Sequence, residues 1–256
     1  MPSPRPRLRP DPDPAGALVS LGLEPGLGPD GLRVVDLVPA RFPVAVRILQ
    51  PAVGLDGEPL RWREVADRLG VAFRADIAFE EFAEAAAGTT VEWAEKVTSA
   101  DVPWSRAPER GSLDAASTAA LVRALEGFAV SPDRCGFALW DGYGGEAVLL
   151  SRGRGRRRKS GEAEGWEVAP VAVLGRRFVV AEGPLSAAWS LGRELLGRDQ
   201  SPNLWWDPAW LVVTDVDLMS TSVGCSESCA EAIVSEEHLE AAPIDRNAWV
   251  SLRRRG

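Results

Sequence analysis

Asp215 and Asp217 are the residues whose type and spacing come nearest to chemistry. They close the segment S-P-N-L-W-W-D-P-A-W-L-V-V-T-D-V-D-L, Ser201 to Leu218. On an extended strand, positions two apart share a face at a separation of about 7 Å. Paired carboxylates there can exchange protons or hold a metal. With Asp141 as a third acid, they would give a hydrolase or a metal-dependent enzyme if a cleft drew them together. A carboxylate pair alone specifies no reaction. Thr214, Val213 and Val216 around it fit the solvated face of an edge strand equally well.

The same segment carries Trp205, Trp206 and Trp210, three of the ten tryptophans. Neighbouring residues on an extended chain point to opposite faces, so one of Trp205 and Trp206 is expected to be partly exposed. Asn203 can hydrogen-bond its own backbone and fix the turn. Read as a recognition surface, the tryptophans anchor a partner, Asn203 orients it and Asp215 and Asp217 steer it. Read as architecture, the rings line a corner of the core.

Cys225 and Cys229 lie near an expected helix start, where a thiol pKa can fall and Cys225 could become nucleophilic. A metal would need two further ligands. The one histidine, His238, is nine residues beyond Cys229, about 13 Å along a helix axis and out of reach of it. With Cys135 the cysteines number three, which argues against a disulfide framework and fits a reducing compartment. No nucleophile elbow, phosphate loop, zinc-protease motif or dinucleotide fingerprint is present. The reading therefore leans away from an enzyme and names no catalytic residue, metal ligand or cofactor. The run Arg152 to Lys159 could contact phosphate, but no aromatic residue interrupts it and Glu162 and Glu164 follow at once. A solvated loop is the simpler reading.

Net charge is -8 and the pI is near 4.9, so nucleic acid is not the expected partner and a basic protein is. No apolar run approaches the roughly 18 residues that a bilayer span needs. Met1 to Pro14 lacks the apolar core of a secretory signal. The expected location is cytoplasmic.

The elements that must position these residues follow from pattern. Residues 1–31 are rich in proline and glycine and read as a flexible tail. Arg33–Val38 and Val44–Leu49 read as strands. Arg61–Leu69 and Ile77–Ala87 read as helices closed by Gly70 and Gly88. Ser112 is a good N-cap for a helix with Leu121, Val122, Leu125 and Phe128 on one stripe, stopped by Pro132. Cys135–Trp140 reads as a buried strand, and Asp141–Gly145 as a turn. Residues 151–165 look like a mobile insertion between strands at Ala147–Leu150 and Trp166–Leu174. Arg177–Glu182 and Trp210–Leu218 read as strands, and Ser226–Leu239 as an amphipathic helix. Pro184 opens a short helix, and Ala242–Asp245 and Ala248–Leu252 suit short strands. The order is segregated α+β with an antiparallel or mixed sheet, in one domain over 32–256.

The blocks L-V-P-A-R-F-P-V-A-V-R-I-L-Q-P-A (Leu37 to Ala52), R-W-R-E-V-A (Arg61 to Ala66), C-G-F-A-L-W-D-G-Y-G (Cys135 to Gly144) and S-P-N-L-W-W through T-S-V-G (Ser201 to Gly224) resemble an uncharacterised family of high-GC bacterial proteins. The resemblance implies a single cytosolic α+β unit and supplies no activity. The chain departs from that pattern at Gln50, Asp207 and Ser222, where a histidine, a proline and a tyrosine are usual. In architecture alone it is similar to the SMI1/KNR4-like immunity superfamily, whose members bind protein partners. The leading expectation is thus a non-enzymatic, immunity-like interaction module for a basic protein such as a nuclease toxin. Its alternatives are the carboxylate enzyme and a nucleic-acid contact through 152–159.

Overall fold

Long apolar runs without polar interruption do not suit a sheet with one wet face. Cys135–Trp140 and Trp210–Val213 are such runs, and both lie inside a nine-stranded sheet. The computed structural model describes residues 8–23, 32–89, 94, 97, 102–143, 170–197 and 199–250. The fold is α+β.

In chain order the large sheet comprises β1 (Arg9–Pro10), β2 (Val44–Leu49), β6 (Cys135–Trp140), β7 (Val171–Val173), β8 (Arg176–Gly183), β9 (Leu204–Asp207), β10 (Trp210–Val213), β11 (Ser220–Cys225) and β12 (Glu240–Pro243). Spatially they run β1-β8-β6-β9-β10-β11-β2-β12, with β7 also on the outer edge of β8, and the pairings among them are antiparallel. A smaller sheet joins β3 (Ala52–Gly54) to β4 (Pro59–Leu60) and β5 (Trp104–Arg106).

Period-two alternation divides the side chains between two cores. Val46, Ile48, Phe137, Leu139, Trp205, Trp210, Val212 and Val223 pack beneath α5 (Ala115–Glu126) and α7 (Glu227–Ser235). Ala45, Ala138, Phe178, Val180, Leu204, Leu211 and Val213 face α1 (Pro14–Ser20) and α2 (Val34–Leu37). A third core gathers Trp62, Phe79, Phe82 and Trp104 from the small sheet, α3 (Trp62–Leu69) and α4 (Phe79–Ala87), with edge-on or tilted ring contacts at 5.0–6.0 Å.

Arg47 fastens this third core to the large sheet. Its position on β2 is fully buried, yet its guanidinium donates to the carbonyls of Ala75 (2.9 Å) and Ile77 (2.8 Å) and to Ser220 Oγ (2.9 Å). It also lies 5.5 Å from the Trp62 ring centroid. Burial pulls this guanidinium down to about 10, against the opposing pull of Asp76, Glu80 and Glu81. Glu240 makes a second tie. Its carboxylate accepts from Trp62 N (2.6 Å) and Arg63 N (2.9 Å), capping α3 from far along the chain.

Several expectations need correction. Residues 8–23, expected within a flexible tail, pair with β8 and form α1, with Leu18 and Leu21 buried. Arg33–Val38 is not a strand: Asp36 accepts from Arg33 N at 2.8 Å and nucleates the single turn of α2. Asp114, not Ser112, caps α5, accepting from Ala116 N and Ser117 N. The strand from Trp210 ends at Val213, because Asp215 folds the chain into a turn. Ser220–Cys225 is a central strand that no sequence pattern marks. Ser226 caps α7, which stops at Ser235. The segment after Pro184 divides into a 3-10 turn at Leu185–Ala187 and α6 (Leu191–Leu196). The expected insertion at 151–165 and the strand at Ala147–Leu150 lie outside the described residues.

Arg47→Ala should lower the unfolding free energy by about 3 kcal/mol, since it orphans buried acceptors and opens a cavity. Arg47→Lys should recover little of this, because an ammonium cannot reproduce the planar fork. Urea unfolding of the two variants checks both.

Candidate functional site

Antiparallel order brings the end of β6, the starts of β8 and β9, the end of β10 and the start of β11 to one rim of the large sheet. Polar side chains collect there in two layers. Asn203 holds the inner layer. Its Oδ1 accepts from Trp140 N (2.9 Å), and its Nδ2 donates toward the carbonyls of Gly111 (3.1 Å) and Thr214 (3.1 Å) and toward Tyr143 Oη (3.0 Å). Gln200 Nε2 reaches Gly111 O and Tyr143 Oη, while the Tyr143 hydroxyl itself donates to Gly111 O. Ser112 and Ser201 exchange bonds beside them, Ser201 Oγ accepting from Leu113 N and Ser112 Oγ from Ser201 N. Thr214 and Thr221 share a buried hydroxyl contact of 2.8 Å.

The outer layer is charged. Arg176 Nη2 pairs with the Asp217 carboxylate and lies 3.9 Å from Asp215 Oδ1. Arg177 pairs with Asp141 at 3.2 Å. Arg110 pairs with Glu80 and also donates to the Asp217 carbonyl. Trp140 lies half-buried beside this layer, edge-on to Tyr143 with ring centroids 5.1 Å apart.

The residues expected to form one recognition face separate. Asp215 and Asp217 do not share a strand face. Asp215 Oδ1 accepts from Asp217 N (2.9 Å), so the buried acid clamps a turn while Asp217 projects outward. Asn203 is also buried, and it bonds other segments through its side chain instead of its own backbone turn. Trp205 and Trp210 are wholly enclosed beneath α5 and α7, and neither indole N–H has a partner among the described residues. Trp206 is the partly exposed member of its pair. It faces the other core, flat against Gly136, where an added Cβ would meet the ring at 2.1 Å. Its partner Leu211 sits near the β9–β10 turn, away from the rim that carries Asp217.

Asp141, Asp215 and Asp217 do reach the same rim, but each stands beside a guanidinium. Among the described residues, no three His, Cys, Asp or Glu side chains are placed to hold a metal. An open groove of about 610 Å³ lies elsewhere, between α5 and the turn after α7, lined by Ala116, Ala119, Arg123 and Ser235–His238. His238 there lies exposed, 3.0 Å from Glu236. At Cys225, the contact with Cys229 and burial together push the thiol up, so the helix terminus does not activate it. Burial likewise drives Cys135 up to about 12, aided by Asp207 and Asp133.

Sequence reasoning missed Trp140, Tyr143, Gly111 and Arg176 as members of the rim. In the sequence Trp140 and Tyr143 read only as parts of a strand and a turn, and no local signal marks Arg176. Asp207, opposite Trp210, is buried and accepts from Val130 N, Ser131 N and Ala209 N, tying the segment after α5 to the sheet. No helix among the described residues is long and apolar enough to cross a membrane. No family model, curated protein or solved structure matches the chain.

Burial raises the Asp215 carboxyl above the usual carboxylate range, and the Asp217 amide and Arg176 offset this only in part. The folded chain then holds this proton more tightly than the unfolded chain does. The stability from this group is therefore full below about pH 4, where the unfolded acid titrates, and is lost as pH rises through the folded value. Asp215→Asn keeps an acceptor for the Asp217 amide and removes the charge. Urea midpoints should fall less steeply with rising pH in this variant, and its stability at neutral pH should equal or exceed that of the parent.

Proposed function

We propose that the chain is a non-enzymatic protein-interaction module, immunity-like in character, that binds a basic partner through the rim bearing Trp140 and Asp217. The observation that carries this reading is Asp217, whose side chain is 61% exposed and which shares Arg176 with the half-buried Trp140 ring. An exposed acid next to a partly exposed aromatic supplies steering and an anchor on one patch. The net charge of -8 favours a basic partner over nucleic acid. In this reading Asn203, Trp205 and Asp215 shape the rim from within, and Trp206 is a contact on a separate surface.

A second reading, a carboxylate-dependent hydrolase, draws on the buried Asp215 carboxyl, which burial raises in the direction that favours a general acid. The expectation of a contact through 152–159 lies outside the described residues.

Affinity capture from native cells, followed by kinetics with the purified partner, tests the leading proposal. The immobilised chain should retain a basic protein, with an association rate that falls as salt rises. Asp217→Lys should weaken that complex about tenfold or more, as reversal of a steering charge does. Retention of no basic protein, or indifference to Asp217→Lys, would remove the proposal.

A further inference from the structure

Arg176 occupies the rim under constraint. It opens β8 directly after the turn Leu174–Gly175, where Leu174 has φ of 51°, the one positive value at a non-glycine position among the described residues. A branched side chain is unfavourable in that region, so the hairpin is held in a conformation its sequence resists. The turn delivers the guanidinium to within 6.0 Å of the Trp140 ring centroid.

The contacts it makes there are incomplete. Nη2 alone serves both carboxylates, pairing with Asp217 and standing 3.9 Å from Asp215. Nε is buried and has no acceptor among the described residues. A guanidinium free of a backbone tether can instead present two parallel N–H groups to a carboxylate and stack on an indole. Two walls of the site are held by hydrogen bonds of their own. Trp140 is fixed through its amide to Asn203 Oδ1 (2.9 Å), and its ring packs so closely on Gly142 that an added Cβ would lie 2.2 Å away. Asp215 is fixed by the Asp217 amide.

We propose that Trp140, Asp215 and Asp217 form a guanidinium cage that Arg176 plugs from within, and that its external ligand is an arginine side chain of the basic partner. This inference rests on the interaction-module reading and names the group that module recognises. The flat, delocalised cation matches one aromatic face and two carboxylates, whereas an ammonium would keep more of its hydration. Exchange costs little, because the outgoing Arg176 leaves an unsatisfied position for a solvated one. The plug sets a threshold: a ligand must displace it, so apparent affinity is reduced by the fraction of molecules in which the cage is closed.

The test is titration of N-acetyl-arginine amide into the wild-type chain, Arg176→Ala and the double variant Arg176→Ala/Asp217→Asn, read by calorimetry and thermal shift. Emptying the cage should tighten binding about tenfold or more over wild type. N-acetyl-lysine amide should bind more weakly, and the double variant should lose the gain. Equal affinity in wild type and Arg176→Ala, or full affinity in the double variant, overturns the proposal. Should Arg176→Ala fail to fold, the Nε–H resonance of Arg176 in the wild-type chain replaces it. Saturable movement on titration supports exchange, and an unmoved resonance overturns it. A basic protein captured equally by wild type and Arg176→Ala keeps the module and removes the cage. Binding of the arginine amide with no protein captured separates the two the other way.

Discussion

The rim of this fold depends on one buried amide. Asn203 sits where β9 begins, with its backbone already in the ladder through Ala138 O and Thr214 N. Its side chain then spans outward to Trp140, Gly111, Tyr143 and Thr214. A buried donor or acceptor left alone costs on the order of 1–3 kcal/mol. Trp140 N and Thr214 O meet the amide directly, while Gly111 O and Tyr143 Oη share it with Gln200. No apolar residue of similar size could hold the end of β6, the loop at Gly111 and the end of β10 together. Trp140, Arg176 and the Asp215 turn inherit their positions from that arrangement.

The same logic joins the small sheet to the large one. Arg47 and Glu240 are charged residues on neighbouring strands, and both reach across to backbone groups of the α3–α4 region. Apolar packing is non-directional and would allow that region to slide over Leu49 and Met219. Directional bonds to named carbonyls and amides fix its registration. The large sheet has cores on both faces, so its interior strands carry little sequence freedom beyond size.

Much of the sheet was legible in the sequence because its signals are local. Cys135–Trp140 announces itself by an unbroken apolar run, and α3 and α4 by helical spacing closed with glycine. The polar rim was not legible, since the bonds of Asn203, Gln200 and Arg176 that build most of it join residues distant in sequence. Ser220–Cys225 carries no local strand pattern. It is a central strand because Thr214, Arg47 and the two flanking strands satisfy its hydroxyls and amides. Asp215 and Asp217 alternate as strand residues do, yet an Asx turn overrides the β propensity of Thr214 and Val216. The indole pair divided as its neighbouring positions require, one ring in and one half out, but the outward ring belongs to a surface apart from the acids. The acid that stands exposed on the rim is thus one that a strand end presents, not part of the tryptophan-rich density.

A rim so built should unfold as one unit, and a double-mutant cycle on Asn203→Ala and Tyr143→Phe measures this most directly. The two side chains meet at 3.0 Å and share the carbonyl of Gly111. Urea unfolding of both single variants and the double variant should give a coupling energy of about 1 kcal/mol or more. Additivity within about 0.3 kcal/mol would mean that the two act separately. The account of the rim as a single clamped network would then be contradicted.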